Sequence, residues 1–279
     1  MDHLRKALEK ADASSTTVRD WMQPVGNAVR DTQPSRVEVK PTQVIHPDSD
    51  IAGNPHLIGF SNKNTVILDR YRLLRTRMQQ AMKKNNWSIV SVTSSTPEAG
   101  KTLTTLNLGL TFAMTETQKV IVLDADLRKP STAAMLGLSP EKGLVDYLNG
   151  TADLHDVLFQ PSGYGGISII PAAGKNQAKN PSELLKSSRF DTLMKTLRTS
   201  GAIILVDTPP LQVGDDVLTI SQHTDCLLLI IEEGKTTSQD LKDAKRLLSN
   251  HNLIGTVLNK SEAQPKRFQS YYASSETQN

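Results

Sequence analysis

The chain has 279 residues with 37% hydrophobic and 22% charged side chains, one cysteine and a net charge of +3. That length holds one large α/β domain with appendages. The lone Cys226 excludes an intramolecular disulfide and fits a reducing cytoplasm. The longest strongly apolar run, Cys226 to Ile231, is too short to cross a bilayer, so no membrane insertion is expected. Residues 1–60 carry no basic block, which argues against a nucleic-acid arm. The six histidines are scattered without metal-ligand spacing.

In chain order, Leu4, Ala7, Leu8 and Ala11 recur at i, i+3, i+4 and i+7 and predict a short amphipathic helix over 2–11. No charged-then-apolar leader is expected there. Pro24, Pro34, Pro41, Pro47 and Pro55, among many Ser, Thr, Asp and Asn, predict a mobile linker to Asn64, with one docked segment near Leu57–Phe60. The expected division is therefore 1–64 for helix and linker, 65–262 for the main domain and 263–279 for a flexible polar tail. Within the domain, Ile67, Tyr71, Leu74, Met78 and Ala81 mark one helix face. Strands are predicted at 87–92, 120–123, 167–170, 202–206, 226–231 and 253–258. Helices are predicted after residue 101, near 181–186, and at 188–197 and 238–248. Short apolar strands alternating with helices give an α/β fold, a mostly parallel sheet covered on both faces.

The chemistry concentrates at three strand ends. Ser95-Thr96-Pro97-Glu98-Ala99-Gly100-Lys101-Thr102, leading into Leu103, has the form of a phosphate-binding loop between a strand and a helix. Gly100 lets the backbone close on phosphates, Lys101 neutralises them, and the Thr102 hydroxyl suits magnesium. Asp124 and Asp126, two apart in an extended chain, are expected to point the same way. With Asp207 at another strand end they suit a hard cation, and one can accept a proton from an incoming hydroxyl. Arg128 is expected on that same side, reaching a phosphate or an acidic partner. ATP with Mg2+ is the expected ligand pair.

These elements resemble the bacterial tyrosine kinases of capsular and exopolysaccharide biosynthesis, P-loop relatives of the septum-site and partition ATPases. Asn180-Pro181-Ser182-Glu183-Leu184-Leu185, Gly143-Leu144-Val145-Asp146-Tyr147-Leu148 and Val257-Leu258-Asn259-Lys260 carry the resemblance further, over roughly Val66 to Lys260. The N-terminal helix is similar to that of stand-alone forms tied to exosortase gene clusters. The resemblance implies a protein-tyrosine autokinase, with Asp124 or Asp126 as base and Asn259 near the adenine. It implies a homo-oligomer joined through Asp69, Arg72 and Arg75, and autophosphorylation at the tail's Tyr271 and Tyr272. It also implies recruitment to the inner face of the cell membrane by a chain-length-determinant polysaccharide co-polymerase. Two departures stand out: Pro97-Glu98-Ala99-Gly100-Lys101 replaces the family's Pro-Gly-Glu-Gly-Lys, and the tail carries only two tyrosines. A partition-type ATPase switch is the alternative, disfavoured by Thr96 where those ATPases place a second lysine.

Overall fold

The computed structural model describes residues 41, 43–45, 56–58, 65–115, 118–162 and 166–261. The helix expected over 2–11, most of the linker, and the tail with Tyr271 and Tyr272 lie outside the described residues. Eight strands form one sheet: β1 (Gln43–Ile45), β2 (Ile89–Ser94), β3 (Val120–Asp124), β4 (Phe159–Pro161), β5 (Ile167–Ile170), β6 (Ile203–Asp207), β7 (Cys226–Glu232) and β8 (Leu253–Asn259). Their order is β1-β4-β5-β3-β6-β2-β7-β8. All pairings are parallel except β4 with β5. The helices are α1 (Thr65–Asn85), α2 (Lys101–Ala113), α3 (Thr132–Met135), α4 (Leu144–Leu148), α5 (Leu154–Val157), α6 (Pro181–Leu185), α7 (Ser188–Thr199), α8 (Asp216–Ser221) and α9 (Ser238–Leu247).

The central strands are apolar at nearly every position because both faces are covered. Val90, Val92, Val122 and Leu205 pack beneath α1 and α2 with Met78, Met82, Leu106 and Phe112. Ile89, Ile121, Leu123, Ile204 and Val206 lie on the other face against Phe190, Leu193, Met194 and Leu197 of α7. Each such side chain, fully buried, contributes about 1.5–3 kcal/mol. Cys226 sits in β7, buried, and burial pushes its thiol well above the ordinary range.

Two strands were not expected. β1 comes from inside the proline-spaced stretch read as linker, and β4 from the stretch read as helix-rich; each is three residues long. Together they extend one edge of the sheet. His56–Ile58 packs on α2: Leu57 is buried, the Ile58 N–H donates to Asn107 Oδ1 (3.1 Å), and Asn107 Nδ2 donates to the His56 carbonyl (2.9 Å).

Candidate active site

The site lies at the C-terminal ends of β2, β3 and β6, which are adjacent in the sheet. Asp124 and Asp207 are register partners, so two carboxylates stand side by side where the ladder ends. The chain beyond β6 is tied back to β2: the Thr208 hydroxyl donates to the Val92 carbonyl (2.9 Å), and the Thr93 hydroxyl to that of Pro209 (3.1 Å). The loop from β2 enters α2 through Gly100, whose φ of 90° is left-handed and favours glycine. A Cβ there would also press on the Asn259 side-chain amide, which would have to shift. The first turn of α2 carries no acidic side chain, leaving its amide donors and positive dipole end available to an anion.

Asp124 is fully buried and anchors the turn that follows it. Its Oδ1 accepts from Asp126 N (3.1 Å), and its Oδ2 from Ser131 N (3.3 Å) and Thr132 N (3.1 Å). Asp207 Oδ2 accepts from the Thr102 hydroxyl (2.5 Å), while its Oδ1 is buried without a partner. Burial pushes the Asp124 carboxyl up to about 6, with the Asp126 charge adding to the rise against the backbone hydrogen bonds. Asp207 is pushed well above the usual carboxylate range by burial and then by Asp124, with the Thr102 hydrogen bond and the Lys101 ammonium acting against the rise. Asp126 is raised by burial too, opposed by its bond from Lys129 N (3.0 Å) and by Lys101. The nearly buried Lys101 is the cation that faces Asp126 and Asp207.

The structure gathers Lys101, Thr102, Asp124, Asp126 and Asp207, but Asp126 arrives differently from expectation. β3 ends at Asp124, so strand alternation does not carry on to Asp126; the turn pinned on Asp124 brings it in. Arg128 does not reach into the phosphate site. Its Nε donates to Asp216 Oδ2 (2.6 Å) and its Nη2 to the Ser182 hydroxyl (2.9 Å), which itself donates to Asp216 Oδ1 (2.6 Å). Its acidic partner is internal. Thr96, Pro97, Glu98 and Ala99 form the loop, with Pro97 and Glu98 exposed and Ala99 buried. Leu103, half-buried on α2, packs against the core that α1 and α2 cover. Asn259 gives its amide to the Ala99 carbonyl (2.8 Å), so its side chain braces the loop. On α1, Arg72 pairs with Asp69 (3.1 Å), whereas Arg75 turns inward to the Thr111 carbonyl (2.7 Å).

Two contributors escape sequence reasoning. The Ser131 hydroxyl lies 2.8 Å from Thr102 Oγ1, and Asp216 binds Arg128. Ser131 follows no motif spacing; Asp216 opens a helix, where an acidic residue reads as simple dipole complementation.

Comparison with known proteins finds relatives in sequence and in fold. The family model described as ParA, NUBPL iron-transfer P-loop NTPase, matches residues 85–269. The tyrosine-protein kinase CpsD of Streptococcus pneumoniae is 31% identical over 204 residues, covering 71% of this chain and 86% of CpsD. The tyrosine-protein kinase Etk of Escherichia coli is 30% identical over 208 residues, 74% of this chain. This chain spans 28% of Etk, and 25% of the similar Ptk of Acinetobacter johnsonii. The solved kinase domain of Etk superposes with a TM-score of 0.67 at 26% identity, covering 82% of this chain and 94% of that domain.

Proposed function

Because the chain belongs to the bacterial tyrosine-protein kinases, within the ParA-type P-loop NTPases, we propose that it transfers the γ-phosphate of ATP to protein tyrosine and so regulates exopolysaccharide assembly. The observation that carries this is the cluster at the ends of β2, β3 and β6: one nearly buried ammonium, the Thr102 hydroxyl and three carboxylates held above their ordinary range.

The residues fit Mg2+. The partnerless Asp207 Oδ1 and the Thr102 hydroxyl supply hard oxygen donors. Mg2+ is commonly held by one or two carboxylates together with substrate phosphates. When bound, the ion neutralises charge on the transferring phosphoryl group. Lys101 and the α2 amides orient the polyphosphate. Asp124, its oxygens taken up by three backbone donors, holds the 126–132 turn in place. Asp126, 8% exposed and with its carboxyl raised by burial, takes the proton from the incoming tyrosine hydroxyl.

The chain acts as a homo-oligomer through the Asp69–Arg72 flank of α1. A chain-length-determinant co-polymerase recruits it to the inner face of the membrane; no helix among the described residues is long and apolar enough to cross one. Incubation with labelled ATP, Mg2+ and a tyrosine peptide tests the assignment. Label on tyrosine, lost in Lys101→Ala, is the expected result; steady phosphate release without transfer points to a partition-type ATPase.

A further inference from the structure

Three described non-glycine residues have left-handed backbone: Asn86 (φ 55°), Glu98 (φ 62°) and Lys260 (φ 57°). The last two are joined across 162 positions of sequence. Lys260 Nζ donates to the Glu98 carbonyl at 2.9 Å and to Glu232 Oε1 at 2.9 Å. Glu232 is buried at the end of β7, its Oε2 stands 3.6 Å from Lys235 Nζ, and the Lys260 ammonium holds its carboxyl below the usual range. β8 ends beside it, where Asn259 donates to the next loop carbonyl, Ala99. Consecutive side chains at the end of β8 thus take consecutive carbonyls of the phosphate loop.

A planar trans peptide fixes what this does. The carbonyl of one residue and the N–H of the next point in opposite directions across the peptide plane. Holding the Glu98 carbonyl toward Lys260 aims the Ala99 N–H away from Lys260, and Asn259 does the same for the Gly100 N–H. A left-handed residue followed by further loop amides makes a backbone nest for an anion. A non-glycine residue adopts that conformation only at a cost, so position 98 needs an outside hold.

We propose that Lys260, anchored by Glu232, is a positioning residue for nucleotide phosphates, clamping Glu98 in its left-handed conformation so that the loop amides face the anion. The inference rests on the nucleotide assignment above. The test uses the full chain and Mg-ATP, with binding measured by calorimetry for the parent, Lys260→Met, Glu98→Gly, and the double variant. Loss of one charge-assisted hydrogen bond in Lys260→Met is expected to weaken ATP binding about tenfold. Glycine adopts the left-handed conformation without help, so the double variant should recover most of that affinity. The same pattern is expected in nucleotide-free protein: amide exchange at Ala99 and Gly100 speeds up in Lys260→Met and slows again in the double variant. A Lys260→Met protein that matches the parent in both readouts, or a double variant as weak as the single one, overturns the clamp alone. A folded parent that binds no ATP overturns the nucleotide assignment and the clamp with it.

Discussion

At Lys101 a single nearly buried ammonium faces Asp126 and Asp207, and its removal leaves those carboxylates without their nearest cation. Lys101→Ala is expected to lower phosphoryl transfer by on the order of a hundredfold or more, measured as initial rates with labelled ATP. The carboxylates also set a pH dependence of stability. Asp124 is near 3.8 when unfolded and about 6 in the fold, so its contribution is full below the lower value and is lost as pH rises through the upper one. Asp207 is raised in the same direction. Nucleotide-free protein should therefore gain melting temperature from this pair as pH falls from 7.5 to 5. His251, whose burial lowers its imidazole, works the other way over the same window. The informative quantity is thus the difference between parent and Asp124→Asn. Scanning calorimetry should show the variant losing part of the acid-side gain; identical pH profiles would falsify the assignment of the raised carboxyl to Asp124.

Among the elements, α6 and α8 are joined by Asp216, which is 3% exposed and binds both Arg128 and Ser182. Asp216→Asn keeps the shape and removes the charge, and should cost about 2 kcal/mol of stability by chemical denaturation. Transfer activity should fall less than in Lys101→Ala, because Arg128 stands outside the phosphate cluster. The central strands and long helices were legible because each carries an apolar period long enough to see: Val120–Asp124 and Ile203–Asp207 are buried throughout, and Tyr71, Leu74, Met78 and Met82 line α1. Gln43–Ile45 and Phe159–Pro161 were not, since three residues cannot establish a period and prolines flank or end them. The phosphate loop, Asp124 and Asp126 were legible because their spacing is local, and Asp207 because it ends an apolar strand. The Lys260–Glu98 bond was not: its partners lie 162 positions apart, and a lysine after a strand reads as ordinary surface charge.

For the whole molecule, assembly and self-modification are the properties to test. Arg75 is already committed to the Thr111 carbonyl, so its removal confounds folding with association. Arg72 is half exposed and paired with the partly exposed Asp69 of its own helix, a contact worth little to stability, which makes Arg72→Glu the cleaner probe. Light scattering should report a smaller mass for that variant than for the parent, and added salt should shift the parent partway. Tail phosphorylation predicts phosphate on Tyr271 or Tyr272 by mass spectrometry after incubation with Mg-ATP, absent from the doubly Phe-substituted chain. The buried Cys226 in β7 offers one more measurement. It is the only thiol in the sequence, and both its seclusion and its raised ionisation slow attack by alkylating reagents. Cys226 opens β7 and is in register with Val90 of β2, while pairing with β8 begins only at Leu227, so its exposure requires this end of the β2–β7 ladder to part. Alkylation of the native chain is thus a stopwatch for rare openings between β2 and β7, and a ligand gripping the loop beyond β2 should make it run slower.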